Sequence, residues 1–221
     1  MIRPHPRFRE LLLKRRHDRF TAAQARRDFS TQDLLDLQVW ATLGWFFPQL
    51  LDDDPALQML VAKGRNFSEA DKRVIFDRQR DVLARVVPLY RDMQDAGHVE
   101  LSVSPFYHPI LPLLCNMASA REAMPGVSLP TETEGLIDDA RVQIDRAVES
   151  YQERFGRAPR GMWPSEGSVS PDMAPLVAEA GIRWMATDEG ILARSLGRTV
   201  ARDGQGNVAD PRTLYQPYTL A

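Results

Sequence analysis

Three carboxylates in this chain sit where a short apolar segment gives way to a polar one. Glu166 follows the apolar run 161–164, and Asp188 and Glu189 follow the run 182–186. A carboxylate at a stiff strand end, here stiffened by Pro164 and flanked by the indole of Trp163, can attack an electrophilic carbon or move a proton. It can equally cap the following helix or hold an arginine, and spacing alone leaves both readings open for Glu166. Asp188 carries the same two readings, hydrogen-bond acceptor for a ligand or cap of a turn or helix. Glu189 reads as a solvated side chain. His108, in the segment SPFYHPILPLL, is the one histidine at a comparable strand end.

The elements that must position these groups are legible from punctuation. Between the two apolar runs, Ser170 has the place of an N-cap, Pro171 that of a first helical residue, Asp172 faces the positive helix end, and Gly181 stops the helix. A crossover this short makes the flanking strands parallel and puts both carboxyl ends on one side of a sheet, the side where α/β folds keep their chemistry.

The strand ending Trp163-Pro164-Ser165-Glu166, the helix segment from Leu176 to Gly181 and the strand ending Thr187-Asp188 together resemble glycoside hydrolase family 57, retaining enzymes acting on α-glucans. The resemblance covers about residues 30–220 and implies that Glu166 is the nucleophile of a double displacement. It further implies that His108, with its neighbour Tyr107, Trp163 and Asp188 line a sugar site, the histidine bonding a sugar hydroxyl or the nucleophile's carboxylate. The fold it implies is α/β, part of a (β/α)7 TIM-like barrel with parallel strands, incomplete in this chain. A retaining mechanism also requires a carboxylic acid about 5 Å from the nucleophile. The family's acid is an aspartate downstream of the Asp188 region, and the chain ends before it; the family's amino-terminal histidine motif has no match at His5. The expectation is therefore a piece of a longer α-amylase- or glucanotransferase-type enzyme, or a shortened relative without turnover.

Two other readings compete. A polysaccharide deacetylase needs a metal on an aspartate and an H-x-x-x-H pair, and His5, His17, His98 and His108 have no such spacing. A non-catalytic carbohydrate-binding domain could keep the Trp163 and His108 wall without the chemistry. The expected partner is a polysaccharide or oligosaccharide, with no cofactor and no metal.

Composition narrows the rest. The 221 residues are 43% hydrophobic and 26% charged with a net charge of -2, ordinary for a globular chain with a buried core. The first 27 residues hold nine basic side chains against two acidic ones, but no aromatic or glycine pattern interleaves them, which argues against nucleic acid. One cysteine, Cys115, excludes an internal disulfide. The apolar run 39–51 is interrupted and shorter than a membrane span, and the amino terminus has no signal-peptide core, so the expected location is the cytoplasm.

Along the chain, residues 1–29 read as a basic lead-in and 30–221 as the partial barrel domain. Helices are expected from Ser30 to Pro48, with Trp40, Trp45, Phe46 and Phe47 in the core, from Ser68 to Gly97 with a kink at Pro88, and over 110–121. A further helix, capped by Thr131 and Glu134, should end at Gly156. Asp52-Asp53-Asp54-Pro55 reads as a turn. Strands are expected at 98–104, 161–164, 182–186 and 213–220.

Overall fold

The structure, a computed structural model, describes residues 5–15, 21–131 and 135–220. The chain divides into two compact units, Met1–Val86 and Val87–Ala221.

The first unit is helical: α1 Pro6–Lys14, α2 Ala22–Asp28, α3 Thr31–Leu43, α4 Pro48–Asp53, α5 Pro55–Lys63 and the start of α6, Glu69–Asp95. The expected capping boxes form, Ser30 with Asp33 and Ser68 with Asp71. Its core is Val39, Trp40, Leu43, Phe46, Leu57, Leu60, Phe67 and Ile75. The aromatic run is split rather than wholly buried: Trp40 and Phe46 are inside, whereas Trp45 and Phe47 are 87% and 67% exposed. The reason is that α3 ends at Leu43 and Pro48 opens a new helix, so the four rings lie on no common face. The aspartate triplet is likewise the end of α4 plus the N-cap of α5, Asp54 accepting from Ala56 and Leu57 N–H, and not a free turn. Beneath α3, buried Asp36 and Asp33 take Arg7 between them, at 2.8 and 2.7 Å, and Lys14 reaches Asp33 at 2.6 Å. Two basic residues of the lead-in, both on α1, are thus held by two interior acids.

The second unit holds the end of α6, then α7 Leu111–Cys115, α8 Ala120–Ala123, α9 Ile137–Phe155, β1 Gly161–Met162, α10 Ala174–Glu179, β2 Trp184–Met185, α11 Glu189–Ser195 and α12 Pro211–Leu214. Strands β1 and β2 pair in parallel, Gly161 opposite Trp184 and Met162 opposite Met185, and Val103 forms a parallel bridge to Met162 on the other side. The expected strand 98–104 is reduced to that bridge. On one face of this small sheet Val103, Met162 and Met185 pack with Leu111, Cys115, Ala140, Ile144, Leu176 and Val177 of α7, α9 and α10. The fold is therefore mixed, mainly helical with a small parallel sheet.

Several boundaries differ from the sequence reading. Ser170 does not cap α10, which starts one turn later at Ala174 with Pro175 in its first turn; residues 171–173 form a turn instead. The helix over 110–121 breaks after Cys115, where Asn116 accepts from Ala118 N–H and starts a 3-10 turn. Residues 213–220 form no strand: Asp210 caps α12 through Arg212 N–H, and a helical turn forms in its place. The proposed cap pair of α9 includes Glu134, outside the described residues; α9 ends at Gly156, whose φ of 72° suits glycine. Among the described residues no helix is long and apolar enough to cross a membrane.

Candidate functional site

Glu166 stands in a 3-10 turn, Ser165–Gly167, separated from β1 by Trp163 and Pro164. Pro164 and buried Ser165 fix the approach, and the backbone of Glu166 is left-handed, with φ 57°. Gly167 continues in the same region at φ 66°. Two successive left-handed residues turn the chain sharply enough to lift the Glu166 side chain off the end of the strand, 73% exposed.

His108 reaches this carboxylate from the segment that follows the Val103 bridge. Its Nε2 lies 3.3 Å from Glu166 Oε1. An ionised carboxylate only accepts, so the tautomer that fits carries its proton on Nε2 and donates it. His108 is also left-handed, at φ 58°, and with Asn66 and Glu166 makes up the non-glycine residues with positive φ among those described. The loop that presents it is secured from α9: the Phe106 N–H donates to the Gln143 carbonyl at 3.1 Å and the Tyr107 N–H to Gln143 Oε1 at 2.9 Å. Arg146, one turn on, stacks over the Phe106 and Tyr107 rings at 4.8 and 5.6 Å.

Trp163 and Asp188 come to the same turn from two sides. A methyl group placed on Gly167 would meet the Trp163 ring at 3.4 Å and the Asp188 backbone nitrogen at 3.6 Å. Thr187 donates its hydroxyl to the Gly167 carbonyl at 2.7 Å, tying the end of β2 to the Glu166 turn. The Trp163 indole is 42% exposed, an apolar surface beside the Gly167 backbone. Asp188 is the N-cap of α11, its Oδ1 accepting from Gly190 N–H at 2.6 Å. Glu189 is paired with Arg202 at 2.5 Å rather than simply solvated. Tyr107 is 69% exposed beside His108 and edge-on to Phe106.

The structure thus gathers His108, Glu166, Trp163 and Asp188 at the carboxyl ends of three neighbouring parallel segments, with Tyr107 at the margin. Gln143, Arg146 and Thr187, which secure the site from α9 and from the end of β2, carry no signature in the sequence. A cavity of about 820 Å³ lies elsewhere, between α11 and residues 198–213, and contains none of these groups. Chemically, the arrangement offers an exposed carboxylate with one oxygen held by an imidazole, on a turn whose next residue, Gly167, packs by the Trp163 ring.

The family description "Glycosyl hydrolase family 57" matches residues 5–221. Alpha-amylase 1 of Dictyoglomus thermophilum is 28% identical over 98 residues, 44% of this chain and 11% of that protein. The 1,4-alpha-glucan branching enzyme TK1436 of Thermococcus kodakarensis is 27% identical over 99 residues, 45% of this chain and 12% of that protein. Among solved structures, the GH57-type branching enzyme of Pyrococcus horikoshii has a TM-score of 0.42 at 16% identity, over 90% of this chain and 35% of that one. The alpha-amylase AmyC of Thermotoga maritima has a TM-score of 0.42 at 14% identity, over 91% and 35%. The matched stretch spans about a tenth of the curated relatives' length, and at these TM-scores the structural likenesses bear no weight for the site.

Proposed function

The chain belongs to glycosyl hydrolase family 57, and on that footing we propose that it carries the nucleophile half of a retaining α-glucan-active site, with Glu166 as the nucleophile. The observation that carries the reading is the His108–Glu166 pair at 3.3 Å. A nucleophilic carboxylate must be aimed; an imidazole N–H on Oε1 fixes its orientation and leaves Oε2 for attack.

In the first step a Glu166 oxygen attacks the anomeric carbon, the bond to the leaving oxygen breaks, and a carboxylic acid protonates that oxygen. In the second, the same acid, now a base, takes a proton from water, which attacks the anomeric carbon and releases Glu166. If an acceptor sugar replaces water, the outcome is transfer. The acid is not assigned to Asp188, whose Oδ1 is committed to the Gly190 N–H; its second oxygen suits a sugar hydroxyl instead. Trp163 offers a stacking face, and Tyr107 extends it at the rim. The parallel segments through Val103, β1 and β2 are read as three strands of a (β/α)7 barrel, because each carries its polar group at the same end.

The test is covalent trapping. A slow fluorinated α-glucosyl donor should add one glucosyl mass to the peptide containing Glu166, and none in Glu166→Gln. A label on any other carboxylate would overturn the assignment.

A further inference from the structure

The site's three segments are held by very short ladders. Val103 N–H donates to the Gly161 carbonyl at 3.0 Å and Trp163 N–H to the Val103 carbonyl at 2.8 Å on one side of β1. On the other, Trp184 N–H donates to the Arg160 carbonyl at 3.3 Å and Ala186 N–H to the Met162 carbonyl at 3.1 Å. Ladders of this length fix register weakly, yet the pair they must align is only five residues beyond Val103 and four beyond Met162.

A side chain completes the alignment. Gly161 and Trp184 are directly opposite in register, on the face away from the core that Met162 and Met185 enter. The Trp184 indole lies flat over Gly161: a methyl group there would sit 2.0 Å from two ring atoms and 2.6 Å from a third. From this position its Nε1–H reaches past β1 to Glu100, on the segment leading into Val103, at 2.8 Å. One indole therefore crosses from β2 over β1 to the third segment, and only glycine at 161 lets it pass.

We infer that Trp184, seated on Gly161 and anchored by Glu100, is a positioning residue for the His108–Glu166 pair, setting from the start of the segments the spacing between the two groups at their end. The inference takes from the proposed function only that His108 and Glu166 act together. At 3.3 Å their bond is already at the long end of the N–H···O range, so a displacement of about 0.5 Å breaks it.

The experiment reads that bond without turnover, and so stands apart from the nucleophile assignment. The imidazole ¹⁵N spectrum of the whole chain is recorded, with His108 identified by its loss in His108→Gln and its unpaired position defined by Glu166→Ala. Gly161→Ala, which evicts the indole, is expected to move the His108 Nε2 resonance most of the way to the unpaired position. Glu100→Gln, which keeps an acceptor for the indole, is expected to leave it at the wild-type position. A role confined to stability would lower the melting temperature of Gly161→Ala and leave the resonance of the folded protein in place; that result overturns the inference. Should Gly161→Ala fail to fold, Glu100→Ala removes only an acceptor near the surface, and an unmoved His108 resonance in that variant overturns it equally.

Discussion

His108 and Glu166 meet at 3.3 Å, and each holds a left-handed backbone, at φ 58° and 57°. A non-glycine residue there costs on the order of 1–3 kcal/mol, histidine being the better tolerated of the two types. Both side chains are well exposed, 51% and 73%, so the contact between them returns little stability. The strain sits at the two positions that face each other and is sustained by the buried surroundings, Ser165 and Met162 on one side and the Gln143 bonds on the other.

Glycine at position 166 should therefore stabilise the protein. Relief of the left-handed backbone is offset in part by the roughly 0.5–1 kcal/mol that glycine loses in chain entropy, leaving a gain of about 1 kcal/mol. Glu166→Ala keeps the strain and should show no such gain. Denaturant unfolding of the two variants beside wild type checks this; equal stability of the Gly and Ala variants would remove the argument.

Function should move the opposite way. In a complete enzyme that supplies the acid, Glu166→Gln keeps size and hydrogen bonding but cannot form the glycosyl ester, and turnover of a soluble α-glucan should fall by on the order of 10⁶, the scale for loss of a covalent nucleophile. Azide should restore part of the rate in Glu166→Gly. His108→Ala removes one charge-assisted bond, about 1.5–3 kcal/mol, and should cost about ten- to a hundredfold in kcat. Reducing-sugar release measures all three.

A third prediction concerns the support of the His108 segment. The buried Tyr151 hydroxyl on α9 donates to Gln94 Oε1 at 2.5 Å and lies 3.1 Å from the Leu101 carbonyl, while Leu101 N–H donates to the same Gln94 oxygen at 3.2 Å. Tyr151→Phe removes the hydroxyl's bond to Gln94 Oε1 and should cost about 1–2 kcal/mol. Chemical denaturation is the measurement, and an unchanged midpoint would show the hydroxyl to be replaceable by water.

What could be read from sequence follows the range of the interactions involved. The Ser30–Asp33 and Ser68–Asp71 boxes and the glycine stop at Gly156 are contacts within four residues, and they stand where spacing put them. The meeting of His108 with Glu166, 58 residues apart, was implied by the family resemblance, and the repeated strand-end pattern put the two only on one side of a sheet. Ser170 looked like a cap because Pro171 follows it, yet no helix starts there. The tail from Thr213 to Leu220 alternates as a strand does, but Asp210 diverts it into a turn. The left-handed backbone of Glu166, and the passage of Trp184 over Gly161, leave no local trace: each exists because a distant segment occupies the space beside it.

The last prediction is a pH dependence in the first unit. Asp36 is fully buried and accepts from Arg7 Nε at 2.8 Å, Gln32 Nε2 at 2.9 Å and Phe67 N–H at 3.0 Å. Asp33 accepts from Lys14 at 2.6 Å, Arg7 at 2.7 Å, and Ser30 N–H and hydroxyl at 2.8 and 2.9 Å. Burial pushes both carboxyls upward, but these donors outweigh it and hold both below the ordinary carboxylate value of 3.8. A carboxyl depressed in the folded state contributes stability that is fully present above its unfolded value and is lost as the pH falls below it toward the folded value. The unit should thus be flat in stability from neutral pH down to about 4 and weaken steeply below that. Asp36→Asn leaves the Arg7 guanidinium, only 15% exposed, without that charge, so it should cost about 3 kcal/mol at neutral pH and flatten the acid limb. Circular-dichroism melts from pH 7 to about pH 2 on both proteins decide it: parallel acid limbs in wild type and Asp36→Asn would mean that other carboxylates govern acid unfolding.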